Sequence, residues 1–233
     1  MKTVMIHGIN QTDQNAQELL DQWNQSLDGI IPVEDTSMAF WGDLSVANSK
    51  SARVDTIVAT LADDALRELY KDFTDNHWLG DCYNYFYKPL MREQIRERLI
   101  AKLTPLQHEE EITLIAHSLG TVIAYDVLSD TVFPNKINLV TIGSPLGINE
   151  IIAELHKVRN TLKLKVPLCV EKWSNISDPH DPVALIHHLS PIFSSTIRDI
   201  LVPNPNGIGL GFAFHAITGY LRTNEVRHAV LGN

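Results

Sequence analysis

Short apolar runs rich in β-branched residues alternate along this chain with longer stretches whose apolar positions recur at helical spacing. Lys2–His7, Thr36–Trp41, Ile112–Ala116, Asn135–Gly143 and Val166–Ser174 are of the first kind and read as buried strands. Gln11–Leu27 is of the second kind. Leu19, Leu20, Trp23 and Leu27 line one face, Thr12 or Asp13 can cap its start, and Gly29 can end it. Ser51–Phe73 carries Val54, Ile57, Val58, Leu61, Leu66 and Leu69 at the same period, and Pro89–Leu103 carries Ile95, Leu99 and Leu103. Further helices are predicted after Gly120, over Ile148–Asn160 and over Asn224–Leu231.

Strands alternating with helices imply an α/β fold, a mainly parallel central sheet with helices on both faces. The sheet is expected to be short at its front, because the first strand present already ends in His7-Gly8. No repeat, low-complexity segment or boundary divides the chain. The expectation is one domain over 1–233, with a helical, aromatic-rich insertion around 51–104 that is a candidate cover for a site. Within it, His77–Tyr87 reads either as a lid or, preferably, as a packed connection between helices. Arg92, Arg96 and Arg98 are expected on a solvated face, and Glu109–Glu111 in an exposed acidic turn. Asp43, near a strand end, is read as a turn residue rather than a site residue.

Composition narrows the function. With 233 residues and 44% hydrophobic content, the chain can bury a substantial core. A net charge of −9 without a long basic run argues against nucleic acid and anionic membrane surfaces as partners. Cys82 and Cys169 are not spaced as a metal or redox pair, and Cys169 sits in an apolar run as a small core residue. Met1–Gly8 reads as a strand rather than a signal peptide, and no apolar segment approaches the roughly 18 residues that span a bilayer. A soluble, cytoplasmic protein without an integral membrane segment is therefore expected. The adjacent His187 and His188 point apart on any regular element, and no H-E-x-x-H occurs, so neither metal nor cofactor is expected. Nothing in the chain specifies an oligomeric state.

The chemistry centres on Ile112–Tyr125. A β-branched apolar strand turns at Ala116-His117-Ser118-Leu119-Gly120 and continues at once as a helix. That order is a nucleophile elbow, which strains the serine backbone, exposes its hydroxyl and aims free helix N–H groups at developing negative charge. Ala116 and Gly120 let strand and helix pass closely. The competing reading of Ser118 is an ordinary helix N-cap. Ser144 also follows a strand, but glycine stands directly before it and proline directly after, which does not fit the elbow.

The elbow, the His7-Gly8-Ile9-Asn10 strand end, the Gly143-Ser144-Pro145-Leu146-Gly147 phrase and the Trp173–Val183 phrase WSNISDPHDPV together resemble the α/β-hydrolase superfamily. More narrowly, they are similar to its small lipase and esterase branch with an HG oxyanion motif. The usual G-x-S-x-G differs here only in Ala116. The resemblance implies a triad in the order serine, acid, histidine. Ser118 is then the nucleophile, with the backbone N–H groups of Ile9 and Leu119 as oxyanion donors. Asp181, before Pro182-Val183, stands where the resemblance places the acid, and Asp178 is the alternative, with a competing role as a turn residue. His187 and His188 follow Asp181 too closely to occupy a separate loop and would flank a short helix, while His228 lies in the polar terminal helix. His215, after the glycine-punctuated run Gly207–Gly211 and at the start of a helix, fits the family's histidine loop. His117 is expected to pack beneath or beside the site.

The resulting expectation is a serine hydrolase cleaving a carboxylic ester, or a thioester, of an apolar acyl group through an acyl-enzyme. Leu189–Phe214, apolar and poorly charged, is a candidate acyl pocket or, equally, core packing. The alternative is a non-catalytic hydrolase-fold module that binds an acyl ligand or a partner protein.

Overall fold

The computed structural model describes residues 1–9, 11, 13–44, 78–208 and 211–233. The expected helix over residues 51–73 and the Thr12 cap lie outside these residues, as does most of the 51–104 insertion before its last two helices.

Among the described residues, six strands form one parallel sheet in the order β2-β1-β3-β4-β5-β6. They are β1 (Lys2–Ile6), β2 (Thr36–Ala39), β3 (Glu111–His117), β4 (Lys136–Ile142), β5 (Val170–Ser177) and β6 (Arg198–Leu201). Alternation divides their side chains between two apolar clusters. Val4, Ile6, Ile112, Leu114, Ile137 and Leu139 face one, and Met5, Ile115, Val140 and Ile142 face the other. Helix α1 (Ala16–Leu27) buries Leu19, Trp23 and Leu27 in the second cluster, together with α6 (Ile217–Tyr220) and α7 (Asn224–Val230). Helices α2 (Trp78–Tyr87), α3 (Pro89–Leu103), α4 (Leu119–Asp130) and α5 (Asn149–Val158) cover the first. Helices thus lie on both faces, as the alternation of elements predicts. Among the described residues, no helix is long and apolar enough to cross a membrane.

Several local expectations are corrected. The cap of α1 is Asn15. Its side chain accepts from the N–H groups of Gln17 and Glu18, and the Glu18 carboxylate accepts from the Asn15 N–H at 3.1 Å, a reciprocal box. Strand β5 starts four residues later and ends three residues later than Val166–Ser174, because a turn from Pro167 to Val170 precedes it and β6 offers Ser174–Ser177 a partner. Strand β6 itself was not expected. Within the same apolar segment Leu189, Phe193 and Ile197 are core residues, which is the packing alternative for that stretch. His187 and His188 lie in irregular chain, without a helix beside them.

The arginines of α3 are corrected too. Arg98 is exposed and pairs with the exposed Asp43 at 2.7 Å, in the turn Gly42–Leu44. Arg92 and Arg96 instead turn inward, each within 2.7 Å of Asp126 on α4, whose side chain is fully buried. A carboxylate taken out of water requires charge partners, and helix spacing puts both arginines on its side. Tyr85 of α2 adds a 2.6 Å hydrogen bond to the same carboxylate. With Cys82 and Phe86 also in the core, the described part of the aromatic-rich stretch is packed between helices.

The register decides where chemistry can occur. Ile6 pairs with Ala116, His117 with Ile142, and Ile142 with Ile176, so β1, β3, β4 and β5 end together. The segments beyond those carboxyl ends meet at one edge, where open α/β sheets bind ligands.

Candidate active site

Ser118 leaves β3 and caps α4 with φ 55° and ψ −131°, a left-handed φ that a non-glycine residue rarely adopts. Its hydroxyl makes no cap hydrogen bond to the helix, which removes the ordinary N-cap reading. The backbone is held instead, with Ser118 N–H donating to Ile142 at 3.0 Å and Ser118 C=O accepting from the Thr121 hydroxyl at 2.7 Å. The Ser118 Oγ is buried and has no hydrogen-bond partner among the described residues. Helix α4 begins at Leu119, so the Leu119 N–H belongs to the first turn, whose donors lack intrahelical acceptors.

Gly8 passes directly over the serine. A Cβ on Gly8 would lie 2.5 Å from Ser118 Cβ and 3.0 Å from its Oγ, so only glycine admits this approach. Ile9, next in the chain, is thereby carried to the side of Ser118, and both line one cavity. Its N–H takes part in no backbone hydrogen bond among the described residues. Gly120 likewise fits beside the Ile6 and His7 carbonyls, which lets α4 start this close to β1.

Asp181 and His215 are brought together from the segments that follow the neighbouring parallel strands β5 and β6. His215 Nδ1 lies 2.8 Å from Asp181 Oδ2 and 2.9 Å from Oδ1. Burial opposes ionisation of Asp181. The charge of His215 and hydrogen bonds from His215, Tyr220 and the Val183 N–H outweigh it and hold the carboxyl below its ordinary range. An ionised carboxylate only accepts, so the proton of a neutral His215 sits on Nδ1 and the Nε2 lone pair is left free. Among the described residues that Nε2 atom, which is buried, has no partner, and neither has Ser118 Oγ. His215 closes a turn of 3₁₀ helix (Phe212–His215) ahead of α6, rather than opening the helix itself.

Asp178 is not placed against His215. Its Oδ1 accepts from the His180 N–H at 2.7 Å and its Oδ2 from the Asn204 N–H at 2.6 Å. It is a loop anchor, and through Asn204 it acts on the histidine loop. The Asn204 side-chain amide donates to the carbonyls of Phe214 and Ala216, one on each side of His215, at 2.9 and 3.0 Å. His117 adds a third hold. Its Nε2 donates to the His215 carbonyl at 2.9 Å, with the two rings 4.5 Å apart. Burial, reinforced by the charge of His215, pushes His117 well below its usual range, so it is neutral and serves as a prop.

Sequence reasoning missed Asn204, Tyr220 and Gly143. Tyr220 is fully buried and donates to Asp181 Oδ2 at 2.7 Å while accepting from the Asp178 N–H at 2.7 Å. Gly143 has φ +56°, and a Cβ there would lie 2.9 Å from Asp181 Oδ2 and from His215 Nδ1. Only Gly143 left a signal, since glycine directly after a buried strand marks a backbone that must bend or be approached closely. Ser144 caps the next turn, accepting from the Leu146 N–H at 3.2 Å, and shares a hydrogen bond with Thr121.

A cavity of about 290 Å³ opens over Ser118 and His215. Its walls come from Ile9, from Leu19, Gln22 and Trp23 of α1, and from Phe212 and Ile217. Of the stretch expected to form an acyl pocket, only Phe212 lines it among the described residues. Among the described residues, no cluster of His, Cys, Asp and Glu could hold a metal ion.

A family model described as Lipase (class 3) matches residues 46–187, more than half of the chain. The matched stretch includes Ser118 and Asp181 and ends before His215. No curated protein matches the chain.

Proposed function

This chain belongs to the class 3 lipase family, within the α/β-hydrolase superfamily, and on that premise we propose a serine hydrolase of carboxylic esters acting through Ser118, His215 and Asp181. The observation that carries the reading is the state of His215. Nδ1 is tied to an ionised carboxylate, while Nε2, like the Ser118 hydroxyl, is buried and has no hydrogen-bond partner among the described residues, and both residues line the same cavity.

In the proposed reaction His215 Nε2 takes the Ser118 proton as Oγ bonds to the ester carbonyl carbon. The carbonyl oxygen becomes an oxyanion, received by the N–H groups of Ile9 and Leu119. A donor of this kind is worth about 2.7–4 kcal/mol of barrier. Asp181 stabilises the imidazolium without taking its proton. The imidazolium then protonates the leaving alkoxide and the carbonyl re-forms as an acyl-enzyme. Water gives its proton to Nε2, its oxygen adds to the acyl carbon, and collapse returns the proton to Ser118 with release of the acid. A thioester would follow the same path with a thiolate leaving, and an alcohol in place of water would make the step an acyl transfer.

The test is hydrolysis of p-nitrophenyl esters of graded acyl length by wild type, Ser118→Ala and His215→Ala, with fluorophosphonate labelling in parallel. Loss of several orders of magnitude in both variants, with labelling confined to Ser118, supports the reading. An enzyme that neither turns over nor labels would be a binding module on a hydrolase fold.

A further inference from the structure

His7 is buried and uses both ring nitrogens, and the geometry assigns its proton. Nε2 lies 2.9 Å from the backbone N of Trp41, a group that can only donate, so Nε2 accepts and is unprotonated. Nδ1 lies 2.6 Å from the carbonyl oxygen of Gly8, which can only accept, so Nδ1 carries the hydrogen. Desolvation pushes His7 down to about 4, which keeps the ring neutral at pH 7 and leaves one tautomer that satisfies both contacts. Trp41 clamps the arrangement. Its indole stacks on the imidazole with centroids 5.0 Å apart and planes 9° apart, and its Nε1 donates to the His7 carbonyl at 3.0 Å.

The consequence lies one bond further on. The Gly8 carbonyl and the Ile9 N–H are opposite ends of one planar trans peptide and point in opposite directions. Holding the carbonyl against the imidazole therefore aims the N–H away from it. The residue on the near side of that peptide is glycine, which does little to restrict its rotation, and the same glycine packs against Ser118. We propose that His7 is a positioning residue for the oxyanion site: its Nδ1–H holds the Gly8 carbonyl and so fixes the direction of the Ile9 N–H, and Trp41 selects the tautomer that makes this possible. The inference rests on the reading of Ser118 as nucleophile and Ile9 as oxyanion donor.

A pair of substitutions separates the two ends of the ring. In His7→Asn the amide N–H falls where Nδ1 was and keeps a donor for Gly8. In His7→Gln the amide reaches the Nε2 position and keeps an acceptor for Trp41, with no donor for Gly8. The readouts are kcat and KM on a p-nitrophenyl ester, and the affinity of a trifluoromethyl ketone, which forms an oxyanion on reaction with serine. His7→Gln is expected to lower kcat by about 10–100-fold and ketone affinity by a similar factor, with KM within about 3-fold, because misaiming a donor costs somewhat less than removing it. His7→Asn is expected to recover most of that loss. Equal losses in both variants, or an unchanged kcat in a folded His7→Gln, overturns the proposal. A long-range ¹H–¹⁵N spectrum of the wild type needs no variant to fold. A protonated Nδ1 with a bare Nε2 supports the assignment, and the opposite tautomer overturns it. Ser118→Ala in the same assay keeps the failures apart. If it turns over like wild type, the hydrolase reading has failed; if it is dead while His7→Gln is unaffected, only the positioning role has.

Discussion

Tyr220 donates its hydroxyl to Oδ2 of Asp181 at 2.7 Å, on the same carboxylate oxygen that faces the His215 ring. Burial first, and the neighbouring Asp181 charge second, push the phenol far above its usual range, so it stays a neutral donor. Tyr220→Phe removes that donor and strands the Asp178 N–H. The expected cost is about 1–3 kcal/mol in urea unfolding, a typical figure for a buried group left unsatisfied. The Asp181 pKa, followed by NMR, should rise because one stabilising hydrogen bond to the ionised form is gone.

The two aspartates should separate cleanly. Asp181→Asn is expected to lower kcat by about 10⁴-fold, the scale seen when a triad acid loses its charge and the histidine takes the wrong tautomer. Asp178→Asn, which anchors Asn204 rather than His215, should stay within about 10-fold of wild-type kcat. Its cost belongs in stability, at about 1–2 kcal/mol. The reverse ranking in steady-state assays would move the acid to Asp178.

Gly143→Ala should damage the site without touching a reacting atom. The new methyl group would enter at 2.9 Å from both Asp181 Oδ2 and His215 Nδ1, on a backbone at φ +56°. Displacing a catalytic pair by about 1 Å costs on the order of 10²-fold. A kcat loss of that size, with a stability loss of about 1–3 kcal/mol, is expected.

The buried charge cluster carries a stability prediction. Asp126→Ala leaves Arg92 and Arg96 facing each other without their carboxylate. It should cost about 3–5 kcal/mol by urea denaturation, the range for a buried pair broken on one side. Asp43→Ala removes only an exposed partner of Arg98 and should change unfolding little.

Acid should destabilise the protein before its carboxylates titrate. His7 is held at about 4 in the fold and rises to about 6.5 when unfolded, so between those values the unfolded chain binds a proton that the native ring refuses. That stability is fully present above pH 6.5, is lost as pH falls, and levels off below about 4. Its size is roughly 3 kcal/mol, and His117 adds to it in the same direction. Asp181, depressed in the fold, contributes a separate loss at lower pH, as its own carboxyl titrates. Urea unfolding at pH 7, 5.5 and 4 measures the slope, and His7→Gln should flatten it.

The elements that could be read in advance are those whose own residues carry the signal. β3, the Ser118 turn and α4 follow from one continuous stretch, because strand period, strained serine and helix period are local properties. The Asp126 cluster was misread for the opposite reason. Arg92 and Arg96 look like any charged helix face until α4 packs against them, and nothing near Asp126 in the chain announces its partners. Strand β6 and the late start of β5 are a similar case. Ser174–Ser177 are a strand because Arg198–Leu201 lies beside them, and pairing between distant segments leaves little trace in either.

From the sequence alone came the α/β class, the parallel sheet between helical layers, and the residue types of a serine hydrolase in their chain order. Periodicity and turn chemistry act over a few neighbours, and a linear string records them. The tertiary structure decided which aspartate meets His215, that Tyr220, Asn204 and His117 hold the pair, that α1 supplies a wall of the cavity, and which way the His7 proton points. Most of those relations join distant segments, 34 positions apart for Asp181–His215 and His7–Trp41 and 98 for His117–His215, set by sheet register and by burial, and they exist only once the strands have ended at the same edge.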